Sequence, residues 1–161
     1  MPPKLTIRRA ASADNDLIYT LLRELAEYER LTDKFFLTPE VISRDFLGRD
    51  AAVFCDLAFA DEEPVGLATW YWTYATFASY RGLYLEDLYV REKWRGHGFG
   101  KELMAHLARE AAHHKAGHIK WAVLNWNRPS IAFYESLGAK PDSAWTVYSL
   151  AEDPLQGLAR A

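Results

Sequence analysis

The sequence predicts an α/β fold: a mixed central sheet of about six or seven strands flanked by about four helices. Three observations lead there. Leu17, Ile18, Leu21, Leu22, Leu25 and Tyr28 recur at helical spacing, which marks an amphipathic helix near the start. Residues 51–60 and 65–74 are β-favouring runs around a turn-like Asp61-Glu62-Glu63-Pro64, as in a strand meander. Residues 83–107 then pass from a strand pattern to a helix pattern through a glycine-rich turn, as a crossover unit does.

Taken in order, residues 5–8 read as a short strand. Ser12 to Asp16 supply N-cap candidates and negative charge for the first helix, which should run to about Arg30. Thr38-Pro39 reads as a cap followed by proline in the first turn of a second helix, with Val41, Ile42, Phe46 and Leu47 inward and Gly48 closing it. After the hairpin, residues 75–82 should loop into the central strand, residues 83–90. Phe99, Leu103 and Leu107 define a long helix to about Lys115, and residues 119–124 a further strand. Residues 127–137 form a shorter helix with Pro129 in its first turn and Gly138 at its end. Residues 145–150 are expected as a last strand. One domain over residues 4–150 and a fraying tail, 151–161, complete the reading.

Composition narrows the function. Half the residues are apolar, 25% are charged and the net charge is -3, which suits a folded domain and argues against a nucleic-acid binder. Cys55 is the single cysteine, so an intrachain disulfide is excluded and a reducing compartment fits. No signal-peptide pattern or membrane-length apolar run is present, and the expectation is a cytoplasmic protein without membrane partners. The five histidines lack metal-ligand spacing, and the adjacent His113 and His114 face different ways on a helix. No metal is expected, and Cys55, mid-strand, reads as a core residue.

The glycine-rich turn is Arg95-Gly96-His97-Gly98-Phe99-Gly100. Glycines there allow a tight turn and a close backbone approach to a ligand. A strand ending in such a turn and restarting as a helix offers unpaired N–H groups and a positive dipole end, which suit a phosphate. Neither the dinucleotide pattern G-x-G-x-x-G nor the P-loop pattern is satisfied, because Lys101 and Glu102 fall at the wrong places. The pattern present is R-x-x-G-x-G, on Arg95, Gly98 and Gly100.

That pattern resembles motif A of the GNAT family of N-acetyltransferases, and the order of elements along the chain matches the family. Residues 124–134, LNWNRPSIAFY, with N-x-x-S-x-x-x-Y and a glycine four positions on, are similar to its motif B. Tyr-Leu-Glu-Asp at 84–87, Ala-Glu-Tyr-Glu at 26–29 and Trp-Asn at 126–127 resemble the spermidine/spermine (diamine) and thialysine acetyltransferase branch. The resemblance implies acetyl-CoA as co-substrate and transfer to the primary amine of a diamine, polyamine or lysine-like molecule. It assigns Arg95, Gly96, His97, Gly98, Phe99, Gly100 and Lys101 to the pyrophosphate. Leu88, Tyr89 and Val90 pair with pantetheine, and Asn127, Arg128, Pro129 and Ser130 also face the cofactor. Tyr134 becomes the general acid, since a phenol of pKa about 10 carries a proton to donate at neutral pH. Glu86 becomes the acid that takes the amine's proton and holds the cation, while Asp87, pointing to the opposite face by strand alternation, is structural. Tyr28, Glu29, Glu86, Lys120, Trp121 and Ala122 line the acceptor side, and a lysine there departs from a polycation site. The branch also implies a homodimer whose C-terminal segments meet. Two alternatives stay open: a protein or peptide amine as acceptor, and a non-catalytic acyl-CoA-binding domain.

Overall fold

A computed structural model describes residues 3–161, in two compact units that part after Leu124. The first holds β1 (Leu5–Arg9), α1 (Asn15–Tyr28), α2 (Pro39–Asp45), β2 (Phe54–Ala60), β3 (Glu63–Ala75), β4 (Tyr80–Val90), α3 (Phe99–His113) and β5 (His118–Lys120). The sheet runs β1-β2-β3-β4-β5 in space. Its first three pairings are antiparallel, and β4 with β5 is parallel. A parallel neighbour requires a crossover, which α3 provides.

The helices cover both faces of the sheet. Ile18, Leu21 and Leu25 of α1 and Ile42 of α2 pack with Cys55, Leu57, Leu67 and Tyr89 in one buried cluster. The start of α2 follows its sequence signal: Thr38 Oγ1 accepts the Val41 N–H at 3.3 Å and Pro39 stands in the first turn. On the other face α3 buries Phe99, Leu103 and Leu107. There the wholly buried Asp56 carboxylate accepts Arg9 Nε at 2.8 Å and Trp70 Nε1 at 2.7 Å. These donors compensate a charge that burial alone would penalise.

Several boundaries differ from expectation. Asp61 and Glu62 both take positive φ, 47° and 79°, a tight turn whose twist suits a hairpin, so β3 begins two residues early. The β3–β4 ladder continues out to Ala75 and Tyr80, and the expected loop over 75–82 shrinks to residues 76–79. The strand expected over 119–124 is the shorter β5.

The second unit holds α4 (Arg128–Ser136) and α5 (Glu152–Ala159). Asn127 caps α4, its side chain accepting the Ser130 N–H at 3.3 Å, and Pro129 lies in the first turn. Residues 145–150 are not a strand: Trp145, Val147 and Tyr148 are 76%, 94% and 90% exposed. A strand exists only by pairing, and this unit offers no other strand among the described residues. The expected fraying tail contains α5 instead. The sheet therefore has five strands among the described residues, fewer than expected, in the α/β class that the sequence predicts. No helix among the described residues is long and apolar enough to cross a membrane.

Candidate active site

The site begins where β4 ends. Arg91 fixes that end, with Nη2 2.8 Å from Glu24 of α1 and Nη1 donating to the Pro64 carbonyl at 3.0 Å. The rings of Trp94, His97 and Phe99 then cluster with centroids 5.7–5.8 Å apart and shape the glycine loop. Gly96 and Gly98 adopt φ of 78° and 83°, a region that side chains disfavour. A Cβ on either would meet no protein atom within 4 Å, so the loop faces open space. The first bond of α3 runs from the Glu102 N–H to the Gly98 carbonyl at 3.0 Å. The N–H groups of Phe99, Gly100 and Lys101 ahead of it have no acceptor inside the helix. An exposed Lys101 adds positive charge. This cradle fits a diphosphate.

Beside it lies a strand edge. Leu88, Tyr89 and Val90 pair with Ala68, Leu67 and Gly66 of β3, while β5 reaches only Gly82–Tyr84. From Leu85 to Val90 the other edge of β4 carries no strand among the described residues. A splayed edge of this kind can hydrogen-bond an extended amide-bearing ligand.

The acids require a correction. Alternation placed Glu86 and Asp87 on opposite faces, but the β3–β4 register shifts there: Thr69 faces Asp87 and Trp70 faces Leu85, leaving Glu86 as the extra residue of a bulge. Both carboxylates consequently share a face of the sheet, the one onto which Thr69 and Tyr71 of β3 project. Tyr71, whose ring stacks on that of Tyr84 at 5.2 Å, donates its hydroxyl to Glu86 at 3.3 Å. The Thr69 hydroxyl donates to Asp87. Burial, with Glu86 adding repulsion and the Thr69 bond opposing, raises the Asp87 pKa to about 6. Burial also raises that of Glu29 above the usual carboxylate range, and Asp87 raises it further. Tyr71 and Tyr84 are raised as well, first by burial and then by Glu86. The structure thus gathers Glu29, Glu86 and Asp87 with Tyr71 and Tyr84. Sequence reading missed Tyr71, Tyr84 and the part of Asp87, and no glycine or proline marks the bulge in advance.

Tyr28, one residue before Glu29, lies under the Arg95 guanidinium, whose Cζ is 4.6 Å from its ring centroid. Lys120 stands opposite Tyr84 in the parallel register. Trp121 and Ala122 follow β5 in irregular chain, half-buried and exposed respectively.

Within the second unit Tyr134 is half-buried on α4, its ring 5.2 Å from that of Phe133. Arg128 and Pro129 form the exposed start of that helix, above the buried cap Asn127. No group of three or more potential metal ligands exists among the described residues. Cys55 is buried as expected, and burial pushes its thiol pKa far up, which removes it as a nucleophile.

Glycine loop, open strand edge and adjacent acids thus lie along β4 and its exit, and comparison with known proteins gives the family. The profile of the Acetyltransferase (GNAT) family matches residues 15–139. A thialysine N-epsilon-acetyltransferase of Bos taurus is 34% identical over 142 residues, covering 83% of each chain. A spermidine/spermine N(1)-acetyltransferase-like protein of Homo sapiens is 30% identical over 163 residues, 95% of this chain and 23% of that one. Among solved structures, an integron cassette protein from the mobile metagenome of V. cholerae superposes with a TM-score of 0.82 at 25% identity, covering 98% of both chains. The chain belongs to the acetyltransferase (GNAT) family. It is an N-acetyltransferase, similar to the thialysine and spermidine/spermine branch.

Proposed function

We propose that this enzyme moves an acetyl group from acetyl-CoA to a primary amine of a small cation: a diamine, a polyamine or a lysine-like amine. The observation that carries the acceptor class is the bulge at Glu86, which turns two acids toward one face, with Glu29 close enough to be repelled by Asp87. Carboxylates held together at such a cost attract an ammonium group, and the neighbouring phenol rings offer it π faces. The relatives named for thialysine and spermidine/spermine support the same class.

Acetyl-CoA would supply the acetyl group as an activated thioester. Gly96–Lys101 and Arg95 would hold its diphosphate, the β4 edge at Leu88–Val90 its amides, and Asn127–Ser130 a further part of it. Glu86 takes the proton that the amine must lose, and Tyr134 holds the phenolic proton of a general acid. In CoA's company a cytoplasmic setting suits the enzyme. A screen of diamines, polyamines, lysine analogues and lysine-bearing peptides with acetyl-CoA, followed by free-thiol release, tests the reading. Turnover with peptides alone would overturn the acceptor class, and no thiol release with any amine would overturn the transfer.

The acidic group predicts a pH signature. Asp87 is a carboxylate above pH 6 and neutral below it, so its attraction for an ammonium is present above about pH 6 and lost as pH falls through it. Because kcat/KM reports the free enzyme, its acid limb should carry an inflection near pH 6. Asp87→Asn should erase the inflection and lower kcat/KM at pH 8 by about tenfold, the size of one charge-assisted contact. An unchanged profile in the variant would remove Asp87 from the acceptor site.

Assembly as a homodimer belongs to the same proposal. Trp145, Val147, Tyr148 and Leu150, with Leu155 and Leu158 of α5, are large apolar side chains left in water within their own unit. A second copy would cover such a surface. Sedimentation equilibrium at micromolar protein should give twice the 18.4 kDa chain mass, and a single species of that monomer mass would defeat the dimer.

A further inference from the structure

The side chain of Arg95 does not extend over the glycine loop from which it arises. It turns back, its Cζ 4.6 Å from the ring centroid of Tyr28 and 5.9 Å from that of Tyr89. Its Nε donates to the Val90 carbonyl at 3.0 Å. Both positions matter to the reading of the site given above, on which the following rests. Tyr28 is an acceptor-side aromatic, and Val90 lies on the open edge of β4. A cation of the protein's own therefore occupies a ring suited to the acceptor's ammonium and a carbonyl suited to the co-substrate's amides.

These contacts are weaker than the alternative next door. A guanidinium that is itself exposed, as Arg95 is, gains little from an aromatic ring, whereas one that meets a phosphate gains charge-assisted, bidentate hydrogen bonds. The diphosphate cradle begins one residue away, at Gly96. A diphosphate seated there draws Arg95 outward, which uncovers the ring of Tyr28 and frees the carbonyl of Val90.

We propose that Arg95 is an internal blocking cation that couples the two substrates: CoA binding removes it from Tyr28 and so raises the affinity for the acceptor amine. By linkage the amine must raise CoA affinity by the same factor, because it competes with Arg95 for the same ring. The factor should be about two- to fivefold, the range of a solvent-exposed cation–π contact. Arg95 is a positioning residue in this role, since it touches the acceptor's ring only while the acceptor is absent.

The test is calorimetric, with 1,5-diaminopentane and non-acetylated CoA as probes, so that no turnover occurs. In the wild type, saturating CoA should tighten diamine binding about two- to fivefold. In Arg95→Ala, diamine affinity without CoA should already match the CoA-bound wild type, and the coupling should fall to one. Arg109→Ala controls for the loss of a positive charge: this exposed arginine of α3 belongs to neither ligand site, so diamine affinity without CoA should stay at the wild-type value and the coupling should persist. Tyr28→Leu should weaken diamine binding yet tighten CoA binding, because Arg95 no longer leaves the nearer of its two rings to meet the diphosphate. A merely structural tyrosine would not produce that opposite pair of changes.

Independent binding of the two ligands by wild-type protein would overturn the proposal and leave the acetyltransferase reading intact. Coupling that survives in Arg95→Ala would overturn it equally. Failure of the wild type to bind CoA at all would overturn both.

Discussion

Replacing Tyr134 by phenylalanine is expected to lower kcat by about 10²–10⁴-fold, the usual contribution of a positioned general acid, while acetyl-CoA affinity stays in place. The substitution removes one oxygen and keeps the ring, which lies against Phe133 on α4. If the hydroxyl matters only as the proton moves, its loss appears in kcat and kcat/KM together and not in ground-state binding. Single-turnover kinetics should confirm that the chemical step has slowed. A phenylalanine variant as fast as wild type, with chemistry rate-limiting, would exclude Tyr134 as the acid.

Gly98→Val should be comparably severe, in binding rather than in rate. Valine has no protein atom to strike there, since the space beyond Gly98 is open. The obstacle is the backbone: φ of 83° is strained for a β-branched residue, so the turn must change shape. The turn sets the direction of the N–H groups at the start of α3. Losing two charge-assisted contacts of ~1.5–3 kcal/mol each amounts to about 10²-fold or more in CoA affinity. The sheet should survive, because Gly98 has no side chain in its core and the space beyond it is open. Calorimetry on a folded variant decides the matter: unchanged CoA affinity would refute the cradle.

What could be read in the sequence was whatever rests on local pattern. The helical spacing of Leu17 to Tyr28 yielded α1, and Ile18, Leu21 and Leu25 are buried as that spacing requires. Thr38-Pro39 located α2, and Asn127 with Pro129 located α4 to within a residue. The glycine loop was visible because only glycine takes φ above zero without strain. Pairing, in contrast, is not local. Residues 145–150 are as β-favouring as many strands, but their composition cannot supply a partner. Likewise Ala75 and Tyr80 extend the hairpin because each has the other opposite it, which neither residue announces. The bulge belongs to the same kind of hidden information. Glu86 and Asp87 are legible as acids, while the face that each presents depends on Thr69 and Trp70 in the neighbouring strand.

The bulge also says something about how such a site can arise. In a regular strand, neighbouring side chains are separated by the sheet itself, and no exchange of one amino acid for another brings two consecutive carboxylates to the same side. One additional residue does so at a stroke. It leaves Leu85 and everything before it in register, and it restores alternation from Asp87 onward. The distance between an ordinary strand and this acidic face is thus a change in length, not in chemistry. An insertion event, rather than a series of substitutions, is the shortest mutational route to it.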